Sequence, residues 1–125
     1  MDNLIIEEER DVFFIPSVKF DASTGVCEIA GESYLEDTVN FYKKLLSWLK
    51  EYKDLKKPLT FNFKLTYFNT SSSKGILDIM KLLKEFQNGT GATVSWHYPE
   101  DDEDNLEEAE DFIADTGLKM NLISY

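Results

Sequence analysis

Residues 67–74 read Tyr-Phe-Asn-Thr-Ser-Ser-Ser-Lys, so four hydroxyls stand in a row from Thr70 to Ser73. They sit where an alternating strand pattern gives way to a helical one. Open α/β sheets place functional sites outside the carboxyl ends of their strands. A helix start adds free N–H groups and partial positive charge, which stabilise a phosphoryl group. The row therefore reads either as a phosphoacceptor site or as a helix cap in which Thr70 or Ser71 has no further role.

Other residues could carry nucleophilic or acid–base chemistry. Ser71-x-x-Lys74 matches the spacing of serine acyl-enzymes, but the companion Ser-Asp-Asn and Lys-Thr-Gly elements are absent and 125 residues are few for that fold. The lone His97 lies between Trp96 and Tyr98, and a catalytic histidine needs an orienting carboxylate, for which Asp101 or Asp102 would serve. A small hydrolase using Ser71 and Lys74, or His97 with nearby carboxylates, is thus the enzymatic alternative. Residues 100–111 hold nine carboxylates and no cation. They lack the glycine of a calcium loop, so no metal and no cofactor is expected. They read as an acidic loop and helix start, or as a contact surface for a basic partner. Asn69-x-Ser71 and Asn88-x-Thr90 match the glycosylation pattern, which needs secretion to matter.

Composition bounds the rest. Apolar residues make up 42% and aromatics 14% of the chain, enough for a folded core and too many for disorder. A net charge of −11 argues against nucleic acid and anionic membranes as partners. One cysteine, Cys27, excludes an internal disulfide framework and reads as a small core residue. The N-terminal segment lacks the pattern of a signal peptide, and no apolar run is long enough to span a bilayer, so the expected compartment is the cytoplasm.

Periodicity supplies the elements. Residues 1–11 read as a loose arm or a short edge strand. Residues 12–20 are β-branched and aromatic but broken by Pro16, giving an edge strand or two short ones. After a turn at residues 21–25, residues 26–31 form the second arm of an antiparallel hairpin. Val39, Tyr42, Leu45, Leu46, Leu49 and Tyr52 recur at helical spacing over residues 35–55, with Phe41, Trp48 and Leu55 as a second apolar row and lysines opposite. Residues 59–67 alternate strictly. A second helix covers residues 73–86, a strand residues 92–97, a third helix residues 105–115 and a last strand residues 118–123. The order β-β-α-β-α-β-α-β predicts a single α/β domain spanning residues 1–125. It has a mixed sheet of about five strands, an N-terminal antiparallel hairpin and three main helices. The absence of recognisable catalytic machinery favours a protein that is acted upon.

Gly31-Glu32-Ser33-Tyr34, the aromatic first helix, Leu65 through Lys74, Trp96-His97-Tyr98 and the acidic stretch leading to Ala109-Glu110-Asp111-Phe112 occur in that order. Together they resemble the SiaC family of bacterial regulatory phosphoproteins over about residues 12–124. The resemblance implies a non-catalytic partner-switching protein, similar in architecture and logic to STAS-type anti-sigma-factor antagonists. It implies that a cognate serine/threonine kinase modifies Thr70 and that a PP2C-type phosphatase reverses the modification. It further implies that the unphosphorylated form binds an output protein such as a diguanylate cyclase, acting in cyclic di-GMP signalling and biofilm formation or aggregation. Asn69, Thr70, Ser71, Ser72 and Lys74 are then the expected partner-facing residues. The chain departs from the family at Ser73, which receives no role, and in the weight of its acidic stretch.

Overall fold

The fold is described from a computed structural model covering residues 1–125. In chain order the elements are β1 (Leu4–Ile6), β2 (Glu9–Arg10), β3 (Phe14–Ile15), β4 (Ser17–Phe20), β5 (Val26–Ser33), α1 (Thr38–Asp54), β6 (Leu59–Phe68), α2 (Thr70–Gln87), β7 (Ala92–Tyr98), α3 (Glu103–Thr116) and β8 (Met120–Ser124). Strand alternation buries Leu59, Phe61, Phe63 and Leu65 of β6 and turns Thr60, Asn62 and Lys64 to the opposite face.

Six strands form one sheet in the order β1-β4-β5-β6-β7-β8, and β2 pairs β3 as a separate ribbon. The expected five strands are therefore one short of the main sheet. The difference is the N-terminal arm: Leu4 and Ile6 pack against the core while β1 pairs antiparallel with β4. Pro16 splits the aromatic run into β3 and β4, as its missing N–H requires. The hairpin joining β4 to β5 turns at Asp21, whose carboxylate accepts from the N–H and hydroxyl of Ser23 and from the N–H of Thr24.

From β5 to β8 the strands are parallel and adjacent in chain order. Right-handed crossovers then place α1, α2 and α3 on the same face. Twenty-six buried apolar residues fill the space between that face and the helices. An aromatic row runs through it, from Trp48 and Phe20 through Phe61 and Phe63 to Trp96 and Phe112. Cys27 is fully buried there. The other face is polar. Lys19, Glu28, Asn62, Ser95 and Asn121 fall in one cross-strand row, beside an ion pair of 2.8 Å between Lys64 and Glu28.

Each helix starts earlier or later than its apolar stripe suggests, because a capping side chain sets the boundary. Asp37 accepts from the Asn40 N–H, so α1 begins at Thr38, and Val39 and Leu55 are exposed rather than part of the core stripe. Asp102 accepts from the Asn105 N–H and starts α3 at Glu103, so Glu103 and Asp104 of the expected acidic loop are helical. Gly117, left-handed at φ 69°, ends it.

Candidate functional site

At the carboxyl end of β6, Asn69 rather than Thr70 or Ser71 caps α2. Its Oδ1 accepts from the Ser72 N–H at 3.0 Å and from the Ser71 hydroxyl at 3.2 Å. The helix therefore begins at Thr70, three residues before the expected start at Ser73. Thr70 occupies the first helical position and is exposed. Its N–H and that of Ser71 are beyond the reach of any helical carbonyl. Among the cap reading's two candidates, neither hydroxyl does the capping, so the Thr70 side chain is left free of that task.

A buried hydroxyl chain holds this helix start in place. The Ser33 hydroxyl donates to Ser72 Oγ at 2.8 Å, and the Ser72 hydroxyl donates to the Ser33 carbonyl at 3.0 Å. Both serine protons are thereby committed, so Tyr42, 2.7 Å away, is the donor to Ser33 Oγ. Burial pushes the Tyr42 phenol up to about 12, keeping it a donor at neutral pH. The Ser33 carbonyl also accepts from the Asn69 N–H at 3.2 Å. Beside this chain, Gly75 of α2 lies against the Tyr42 ring so closely that a Cβ would collide with it. A bulge aligns the strand ends: Gly31 pairs with Leu65 but Glu32 with Tyr67, and Gly31 takes a φ of 103°.

Thr70 and Ser71 open onto different grooves. Thr70 lines a hollow of about 260 Å³ with Phe68 and Ser73, whose far wall is Glu108, Asp111 and Asp115 of α3. Ser71 and Lys74 line a hollow of about 300 Å³ between α1 and α2, with Val39, Lys43, Leu46 and Lys50. One helix start thus separates an acidic groove from a largely basic one. Asn105 seats α3 beside it, accepting from Trp96 Nε1 at 2.7 Å and donating to the Leu65 carbonyl at 3.0 Å.

Residues 6–125 match the SiaC family regulatory phosphoprotein profile. The chain belongs to the SiaC family. A crystal structure of apo-SiaC from Pseudomonas aeruginosa is similar at 30% identity with a TM-score of 0.85, covering 98% of this chain and 99% of that one. A second SiaC structure from that organism aligns over the whole of both chains at 28% identity with a TM-score of 0.87. SiaC in a crystal structure of the diguanylate cyclase SiaD with its activator SiaC, from the same organism, aligns with a TM-score of 0.84 at 28% identity, over 96% of this chain and all of that one. An uncharacterized protein of Pseudomonas aeruginosa strain UCBPP-PA14 is 33% identical over 102 residues, 80% of this chain and 81% of the relative.

Two of the sequence blocks that suggested the SiaC family meet in space, through Ser33 of one and Ser72 of the other. Ser72, expected among the partner-facing residues, is fully buried and serves the helix start instead. Asn69 is half-buried, whereas Thr70, Ser71 and Lys74 are exposed. Of the enzymatic alternative, Ser71 and Lys74 share one groove, but no hydrogen bond joins His97 to Asp101 or Asp102. The Ser71 hydroxyl is bonded to Asn69. His97 lies on the polar face of the sheet, 3.4 Å from Asn62 Oδ1, with burial and Lys64 lowering its pKa. Asp102, proposed as its carboxylate partner, caps α3. What sequence reasoning missed is the α3 wall: the spacing of Glu108, Asp111 and Asp115, at steps of three and four, marks one helical face. No helix is long and apolar enough to cross a membrane.

Proposed function

We propose that this chain is a non-catalytic partner switch controlled by reversible phosphorylation of Thr70. In this reading a cognate serine/threonine kinase adds the phosphate and a PP2C-type phosphatase removes it, in the cytoplasm. The unphosphorylated form binds and activates an output diguanylate cyclase, as the related SiaC is described as the activator of SiaD. The observation that carries the reading is the state of the Thr70 hydroxyl. It is exposed at the first position of an 18-residue helix, while the neighbouring Asn69 and Ser72 perform the structural work. A phosphate there adds about −1.5 to −2 charge to a surface that a partner must desolvate. Asn69 beside Thr70, and Ser71 and Lys74 on the neighbouring α1–α2 groove, complete the contact surface.

The test is a phosphosite map of protein purified from its native cells, read by mass spectrometry. Phosphate on Thr70 is expected; phosphate confined to other residues overturns the reading. In pull-downs with the output cyclase, Thr70→Ala keeps binding and Thr70→Glu weakens it. Equal binding by wild type, both variants and the phosphorylated form would refute the switch.

A further inference from the structure

The groove in front of Thr70 faces three carboxylates that form no ion pair within the molecule. Glu108, Asp111 and Asp115 form its far wall. The ion pairs of this chain are Arg10–Glu8, Lys53–Glu85 and Lys64–Glu28, none of which involves α3. The three carboxylates are not arranged to share a metal ion. The placement of Asp115 opposes the stability of its own helix. Acidic residues favour a helix start, as Glu103 and Asp104 do, but Asp115 stands in the last turn, whose one cationic contact is Lys84 of α2, donating to the Gly117 carbonyl at 2.9 Å. Glu108 protonates above the usual carboxylate range through burial and through Asp102, Asp104 and Asp111. The helix is also lightly seated: Asn105, Ala109 and Phe112 are its buried residues, and Phe112 rests against Phe68 and Trp96 at 5.9 Å.

We propose that α3 is the element that responds to phosphorylation: a phosphate on Thr70 repels the Glu108–Asp111–Asp115 wall and loosens α3 from its seat on Phe68 and Trp96. This rests on Thr70 as the modified residue and adds how the modification is transmitted. The free N–H groups at the α2 start attract the phosphate, while the opposite wall, Glu108, Asp111 and Asp115, offers it like charge only. The phosphate does more than place charge at the contact surface; it changes the packing of the neighbouring helix, which forms the other wall of that surface. The unphosphorylated wall is tolerated because its three charges face water and each other across helical turns, and it becomes untenable when a doubly charged group enters the same hollow.

The experiment uses full-length protein with phosphothreonine installed at position 70 during synthesis, so that no kinase is needed. Amide hydrogen exchange is followed across α3 and across α1. Phosphothreonine should speed exchange in α3 by about tenfold or more while leaving α1 unchanged. In the Glu108→Gln, Asp111→Asn, Asp115→Asn background the same phosphate should change α3 exchange by less than about twofold. High salt, which shortens the screening length to about 3 Å at 1 M, should also suppress the effect. Unchanged exchange in α3 on phosphorylation overturns the proposal, and so does a full effect in the neutralised background. Either result leaves the phosphosite map untouched, so a failure here is distinguishable from a failure of the switch itself.

Discussion

The Ser33 hydroxyl donates to the Ser72 hydroxyl at 2.8 Å, joining residues 39 apart in the chain. That bond ties the end of β5 to the first turn of α2 and fixes where Thr70 is presented. Tyr42 extends the tie to α1. Three elements thus converge under one exposed hydroxyl, and each bond in the chain has one donor and one acceptor.

Replacing Ser33 with Ala should therefore be costly for so small a change. It leaves the buried Tyr42 hydroxyl without its acceptor, a loss of about 1–3 kcal/mol. Urea unfolding measures it. Adding Tyr42→Phe removes the orphaned donor, so the double variant should lose less than the sum of the two single ones.

Asn69 and Thr70 should separate cleanly in the same assay. Asn69→Ala removes the cap of α2 and should cost about 1 kcal/mol. Thr70→Ala removes an exposed methyl and hydroxyl that cap nothing, and should stay within about 0.5 kcal/mol of wild type. A Thr70→Ala loss equal to that of Asn69→Ala would return Thr70 to the role of cap.

Gly75→Ala tests the close approach of α2 to Tyr42. Helix propensity alone favours Ala by about 1 kcal/mol. Overpacking against the Tyr42 ring should outweigh it, for a net loss of about 1–2 kcal/mol. In a Tyr42→Ala background the ring is gone, and Gly75→Ala should become neutral or stabilising.

Alkaline pH should unfold the protein through two buried acids. Burial holds both the Tyr42 phenol and the Cys27 thiol up at about 12, against ordinary values of 10.0 and 9.0. The unfolded chain then releases these protons before the folded chain does. Their contribution is fully present below about pH 9, and it declines as pH rises toward 12. Stability measured from pH 8 to 12 should fall less steeply for Tyr42→Phe and for Cys27→Ala. An unchanged slope in both variants would refute the assignment.

Much of this was legible in the chain. Alternation over residues 59–67 places the central strand, because a strand buried on one face must repeat every two residues. Helical spacing places α1 and α2 for the corresponding reason. Helix boundaries were less legible, since Asn69, Asp37 and Asp102 cap by geometry that an apolar stripe does not record. The sixth strand was missed in part because three apolar residues, Leu4 to Ile6, are too few to show a period.

The sequence by itself determined most of the elements, the single core and the row of hydroxyls from Thr70 to Ser73, within which the family resemblance singles out Thr70. Those follow from local periodicity, composition and motif order, which are properties of the chain alone. Only the tertiary structure decided that Ser72 is buried while Thr70 is exposed, since the two hydroxyls are alike in type and differ in which side of α2 meets Ser33. It also decided that the acidic run becomes one wall of the groove at Thr70. Charge is written in the sequence, but its distance from another group is set by packing, and here Asn105 and Phe112 set it by seating α3 against β6 and β7.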